Sequence, residues 1–550
     1  MPRRSTGSTS RRSFLQQATA SAAAFALAPS LGQGGDAPAP VRVSAAASLD
    51  NELHEVTLST LSEAMSTGRK TSRSITELYL KAIREIDRDG PRLNSVIELN
   101  PDALAEATRL DEEREGRGAR SKLHGIPILL KDNIGTADRM RTSAGSLALA
   151  DYHPSEDAHV VQRLRDAGCV LIGKANMSEW AGARGSSAIV GWSGRGGQTC
   201  NPYALDRSPG GSSSGTAAAV SASFAAAAVG TETMGSIVSP SSLCGIVGMK
   251  PTVGLVSRSG IIPVSFTQDT AGPMARTVRD AAMLLTVMAG PDPADASTVE
   301  AGERRQDYTA VLDPDGLRGA RIGVARNLFG LSAHADRAAN LALAHLRAGG
   351  ATLVDPVEIA TAPGIWTFDA EVLSYELKAS LDAYLKSADP SAPVRSLADV
   401  IAFNTRNRDR EMMWFAQETF EYAQTKGPLT DPEYQHALAL VRKMSRTDGI
   451  DATLRRHRLD AIVAPTQSPA WLTDNLLGDN TMLGSFVTPA AAGYPSLTVP
   501  CGDVSGLPVG LLFIGTAFSE ATLLRLGFAF EQRAQARRAP TFLETIQLRG

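Results

Sequence analysis

Cysteine, histidine, excess charge of one sign and long apolar runs are all scarce in this 550-residue chain, and each scarcity excludes something. The four cysteines, Cys169, Cys200, Cys244 and Cys501, are scattered with no C-x-x-C spacing. That pattern excludes a disulfide framework and a thiolate metal site, and fits small buried apolar residues. Lys plus Arg number 55 and Asp plus Glu 58, a net charge of −3, so there is no basic footprint for nucleic acid. No run reaches the length of about 18 apolar residues that a membrane-spanning helix needs. Among the eight histidines, His334, His345, His436 and His457 lie in no recognisable loop motif. His124 is read as structural. No pattern calls for a metal or another cofactor. What remains is an ordinary globular balance, 43% hydrophobic and 21% charged. The length allows several domains, or one large α/β domain with additions.

Residues 1–50 do not read as fold. Arg11 and Arg12 precede Phe14-Leu15, an Ala-rich stretch follows from Ala18 to Ala28, and a Pro/Ala/Gly linker continues to about Ala47. Basic, apolar, then small is the order of an export signal, and the paired arginines resemble the bacterial twin-arginine type. Cleavage after Ala28 is disfavoured by Pro29, and Ala45–Ala47 is the alternative. The expectation is a periplasmic or secreted protein.

From residue 51 the chain alternates helical and apolar patterns. Helices are predicted over Thr57–Met65 and over Ser74–Asp87, the second with a Ser74/Glu77 capping box. Others are expected over Pro101–Gly116, Val160–Ala167, Val278–Ala289, Asp336–Ala348 and Glu520–Ala534. Ile126–Leu130 is a short continuous apolar run, the pattern of a strand buried on both faces, and it ends in Lys131. A lysine there is costly unless paired or used. Similar strands are read at Cys169–Ile172, Arg321–Ala325, Ala351–Pro356, Leu459–Pro465, Ser496–Val499 and Pro508–Ile514. Gly260–Pro273 reads as irregular. Residues from about 360 to 450 read as a charged, helical peripheral lobe. Helix–strand alternation argues for α/β layering.

The chemistry concentrates between Ser208 and Thr252. Two small-residue loops, Gly211–Gly215 and Thr233–Ser236, flank an uncharged Ala/Val run, Thr216–Val229, which reads as a buried helix. Gly211-Ser212-Ser213-Ser214-Gly215 matches the G-x-S-x-G elbow with Ser213 as nucleophile, but no strand precedes it and no histidine motif follows. The other reading uses Ser236, which follows a turn whose successive N–H groups could hold an oxyanion. A serine hydroxyl needs a base, and the candidate is Lys131 with its pKa lowered by burial.

Lys131 in Gly125–Asn133, Ser212 in GGSSSG and Ser236 in Gly-Ser-Ile, with a 24-residue spacing from Ser212 to Ser236, resemble the amidase signature family. Gly245–Thr252 and Ala492–Pro500 fit too, and the resemblance covers about residues 55 to 540. It implies an α/β fold, a large central mixed twisted sheet covered by helices on both faces, in one catalytic domain over residues 51–545. It also implies a Ser–cis-Ser–Lys triad. Ser236 is the acylated nucleophile, Ser212 the relay after a cis bond, and Lys131 the terminal base. The oxyanion hole would come from Thr233, Met234, Gly235 and Ser236. Val96–Leu104, Met177–Trp180, Gly194–Thr199 and Gly260–Phe266 resemble the bacterial peptide-amidase branch, which removes the C-terminal amide of peptides. Trp180, Gln198 and Ser213 are the implied substrate contacts. The implied partner is a small-molecule or peptide amide, and the implied state a monomer or homodimer. Alternatives within the family are aryl-acylamide or fatty-acid-amide hydrolases and the ammonia-supplying component of a tRNA-charging amidotransferase, which an export signal disfavours. A non-catalytic binding homologue is disfavoured by the intact Lys131, Ser212 and Ser236. Met234 departs from the family's usual Gly or Asp, and an altered substrate preference is expected from it.

Overall fold

The computed structural model describes residues 52–388, 392–480 and 483–547; the export-signal reading of residues 1–50 falls outside them. Short apolar segments form the strands of one sheet, because unbroken apolar runs can be buried on both faces. They are β1 (Val96–Leu99), β2 (Pro127–Lys131), β3 (Val170–Ala175), β4 (Ala227–Glu232), β5 (Val247–Lys250) and β6 (Thr270–Ala275). Then follow β7 (Arg321–Ala325), β8 (Thr352–Val357), β9 (Ala461–Pro465), β10 (Ser496–Val504) and β11 (Leu507–Ile514). Their spatial order is β1-β3-β2-β4-β6-β5-β10-β11-β9-β7-β8. The sheet is mixed: β2 runs parallel to β3 and β4, while β4, β6, β5 and β10 pair antiparallel in turn. Helices flank it, and the main core surrounds it with Leu129, Leu171, Val229, Met249, Leu511 and Phe513.

A group of helices within residues 365–442, the lobe, packs against this body. Its long helix is Ile365–Ser387, joined by Leu397–Arg406, Glu418–Gln424 and Pro432–Arg442. Trp180, Ile262, Leu377, Leu381 and Phe420 form the apolar cluster that seats it.

Three sequence expectations change. The uncharged run Thr216–Val229 is not one helix. A helix spans Ser214–Ser221, the chain turns at Ser223 (φ 60°), and β4 begins at Ala227. The reason is tertiary. Arg276, buried just beyond the end of β6, donates to the carbonyls of Val220 (2.7 Å) and Ala225 (2.8 Å) and to that of Val56. The guanidinium thus ties the last turn of the helix to the segment that leads into β4, a link that an Ala/Val run cannot make for itself. The second change is at the capping box. Thr71 is the N-cap, exchanging bonds of 3.0 Å with Ser74, so the helix starts at Ser72 and Glu77 pairs with Arg73 on the surface instead. The third is Gly260–Pro273, whose last four residues already belong to β6. The four cysteines are free, three of them buried.

Arg276→Met should cost about 1–3 kcal/mol, since it leaves the Ala225 carbonyl without the guanidinium that donates to it. A lower urea midpoint at unchanged slope is the expected reading. An unchanged midpoint would show that Arg276 does not end the helix.

Candidate active site

The carboxyl ends of β2 and β4 lie side by side, with Leu129 opposite Ala228 and Leu130 opposite Val229. Ligands of α/β sheets are commonly met at such parallel strand ends. Lys131 is the last residue of β2 and is fully buried. Its Nζ donates to Ser212 Oγ at 2.8 Å and to the Thr231 carbonyl at 3.0 Å. Burial lowers the amine to about 7; the charges of Asp269 and Glu232 oppose that shift. Near neutrality a large share of this lysine is an uncharged amine, able to accept a proton.

Ser212 precedes the helix Ser214–Ser221, and the Gly211–Ser212 peptide bond is cis. The helix starts close against the sheet. A Cβ on Gly215 would collide with the Ser95 carbonyl oxygen and stand 2.6 Å from the Asn176 backbone, so the approach requires glycine. The Ser213 N–H donates to the Ser236 carbonyl at 3.2 Å, which joins the two serine segments.

The turn Thr233–Ser236 follows β4 directly. Glu232, buried at the end of the strand, accepts from the N–H groups of Ile237 (2.7 Å) and Val238 (3.0 Å), and the Gly235 N–H also faces it. Burial raises this carboxyl, while Lys250 and those N–H groups draw it back. Gly235 has φ +78°, and a Cβ there would meet the Phe486 ring at 2.5 Å. The turn is therefore fixed from below by Glu232 and from above by Phe486. Among the described residues, the N–H groups of Thr233, Met234 and Ser236 donate to no protein acceptor, and neither does the Ser236 hydroxyl. Ser236 is 7% exposed. These three N–H groups have the chemistry of an oxyanion site; that of Gly235 is turned towards Glu232.

Next to the turn lies a cavity of about 570 Å³ between the body and the lobe helix. Asn133, Thr231, Thr233 and Asp269 form its polar end; Ile262, Val264 and Phe266 wall it, with Ala383 and Tyr384 across from them on the lobe. The volume suits a ligand of small-peptide size.

The structure brings Lys131, Ser212 and the Ser236 turn together; of the three expected substrate contacts, Ser213 lies among them while Trp180 and Gln198 are engaged elsewhere. Trp180 is buried against Phe420 at 5.9 Å in the lobe-seating cluster, and its neighbour Ala181 is the residue that reaches the cavity. Gln198 spends its amide on the carbonyls of Val190 (3.0 Å) and Thr199 (2.9 Å). Ser213 is fully buried, donating to the Thr231 carbonyl at 3.0 Å. Trp180 packs and Gln198 closes its loop, while Ser213 links the two serine segments. The Met234 side chain packs against the apolar cluster of Phe486, Ile462 and Tyr494.

Sequence reasoning missed the residues that hold the site: Thr231, Asn133, Glu232, Asp269 and Phe486. Asn133 donates to Thr231 Oγ1 at 3.1 Å, steadying the carbonyl segment that receives Lys131. A carboxylate immediately before a serine turn was a signal that could have found Glu232. Phe486 lies far along the chain and carries no such signal.

A family model described as amidase matches residues 74–524. A probable amidase from Arabidopsis thaliana is 41% identical over 502 residues, 89% of this chain and 92% of that protein. A putative amidase from Schizosaccharomyces pombe is 34% identical over 521 residues, 90% and 88% of the two chains. Among solved structures, native peptide amidase from Stenotrophomonas maltophilia superposes with a TM-score of 0.84 at 50% identity, covering 89% of this chain and 99% of that one. The fold and these likenesses define a hydrolase acting on amides. The chain belongs to the amidase signature family.

If neutral Lys131 is the proton acceptor, kcat/KM should rise with pH through an ionisation near 7 and then level off. Lys131→Met should lose about 10²–10⁴-fold in rate at pH 8. A flat profile from pH 5 to 9 would remove Lys131 from that role.

Proposed function

We propose that this protein is a peptide amidase, releasing ammonia from the C-terminal carboxamide of peptides through an acyl-enzyme on Ser236. The observation that carries the reading is the 2.8 Å bond to Ser212 from the buried Lys131, whose amine burial lowers to about 7, beside the Ser236 turn. The 50% identity to a peptide amidase, over 89% of this chain and 99% of that one, supports the substrate class.

Ser236 Oγ attacks the carboxamide carbon; its proton passes to Ser212 Oγ as the Ser212 proton passes to Lys131 Nζ. The carbonyl oxygen becomes an oxyanion facing the free N–H groups of Thr233, Met234 and Ser236. The C–N bond then breaks, the proton returns from Lys131 through Ser212 to the nitrogen, and ammonia leaves. Water attacks the ester by the same relay, giving the free carboxylic acid and restoring Ser236. The cavity between body and lobe receives the acyl part.

A second reading is transfer of the released ammonia to a partner protein. It is favoured by 37% identity, over 88% of this chain, to a component of the glutamyl-tRNA(Gln) amidotransferase from Chloroflexus aggregans. The twin-arginine segment, with Arg11 and Arg12 ahead of an Ala-rich stretch, favours the exported hydrolase. A monomer or homodimer in the periplasm or outside the cell fits this reading.

The purified enzyme should release ammonia from C-terminally amidated dipeptides faster than from an anilide or a fatty-acid amide, and Ser236→Ala should release none above background. Equal release by wild type and variant would sink the nucleophile assignment; preference for the anilide would sink the substrate class. A reporter fused behind residues 1–50 should reach the periplasm and be retained in the cytoplasm after Arg11→Lys with Arg12→Lys. Export by the double variant would overturn the twin-arginine reading.

A further inference from the structure

Asp269 lies in none of the motifs that define the site, yet it touches two parts of it. It stands directly before β6, whose Thr270 pairs with Glu232 of β4. Oδ1 accepts the Thr233 hydroxyl at 2.6 Å. Oδ2 accepts the N–H groups of Val264 at 2.8 Å and Ser265 at 2.9 Å. Thr233 opens the turn with the free N–H groups, and Val264 and Ser265 belong to the cavity wall. One carboxylate thus ties the candidate oxyanion donors to the surface that would receive the acyl group.

The same segment is also held from the lobe. Glu376, buried on the long lobe helix, accepts from the Ser265 hydroxyl, the Thr267 hydroxyl (2.9 Å) and the Tyr434 hydroxyl (2.8 Å). Gln268 donates to Asp369 on that helix at 2.5 Å. Neither lobe carboxylate reaches the turn. Asp269 is the group that does, and its charge also faces Lys131 together with that of Glu232, while Arg258 faces Asp269 from the other side.

We propose that Asp269 is a positioning residue for amide hydrolysis, which locks the oxyanion turn and the acyl wall into one frame and sets the field at Lys131. Charge-assisted bonds to a carboxylate are stronger than neutral ones, so a single group can fix both partners. Misplacement of about 1 Å at such a site can cost about 10²-fold in rate. Burial raises the Asp269 carboxyl to about 6, against the pull of Thr233, the two N–H groups and Arg258. It is therefore ionised at the pH where a neutral Lys131 works. The proposal rests on the function above only in taking acyl transfer to Ser236 as the reaction.

Kinetics of Thr233→Val, Asp269→Asn and Glu376→Gln test it, on whichever amide the wild type cleaves and with folding checked by cooperative melting. Thr233→Val cuts the tie to the turn and keeps the charge; kcat should fall about 10–100-fold with KM within about twofold. Asp269→Asn removes the charge while its amide still bridges the same groups; the acid limb of kcat/KM should move to lower pH by about half a unit. Glu376→Gln loosens the wall from the lobe side; KM should rise with the acid limb in place. Wild-type kcat in Thr233→Val, or an unmoved acid limb in Asp269→Asn, would overturn the proposal. Failure of the substrate reading looks different: no ammonia from the wild type, yet labelling of Ser236 by a fluorophosphonate. The labelling rates then carry the test. Slower labelling of Thr233→Val supports the proposal, and equal rates overturn it.

Discussion

A fully buried amine is the constraint on which this site depends. Lys131 ends a strand buried on both faces, and its Nζ donates to a hydroxyl and a carbonyl. Among the described residues, no carboxylate forms an ion pair with it. The acids whose charges reach it, Glu232 and Asp269, are occupied with backbone N–H groups and a threonine, so they act on the lysine through their fields alone. An ion pair would keep the amine charged; this arrangement allows it to be neutral at ordinary pH.

The surrounding fold serves that requirement. Parallel pairing of β2 and β4 puts Lys131 beside the carbonyl it needs. The small-residue helix Ser214–Ser221 presses Ser212 into the gap, and Gly215 allows the approach. Glu232 and Phe486 then fix the next turn from opposite sides. Among the described residues, the N–H groups of Thr233, Met234 and Ser236 in that turn have no protein acceptor.

Much of this was legible in the sequence, for identifiable reasons. Buried strands announce themselves as short apolar runs, and a lysine closing one is conspicuous because burial makes it costly. The spacing of Ser212 and Ser236 carried the family likeness. What stayed hidden depended on residues far apart in the chain. Thr216–Val229 has no internal breaker, and the signal that ends its helix is Arg276. Trp180 and Gln198 stand in stretches that resemble the peptide-amidase branch, which made them expected contacts, but one seats the lobe and the other closes its own loop. Asp269 and Phe486 could not be linked to the turn without the tertiary structure.

The pairing of β2 with β4 has a consequence for the life of the chain. The groups that meet Lys131 there are 81 and 100 residues away along the sequence, so no local segment can assemble the site. Long-range sheet contacts form late, since loop closure must come first. Before the sheet closes, Lys131 is a solvated, charged lysine and Ser236 an ordinary alcohol. The meeting of Lys131 with Ser212 and Thr231 is therefore a property of the finished fold.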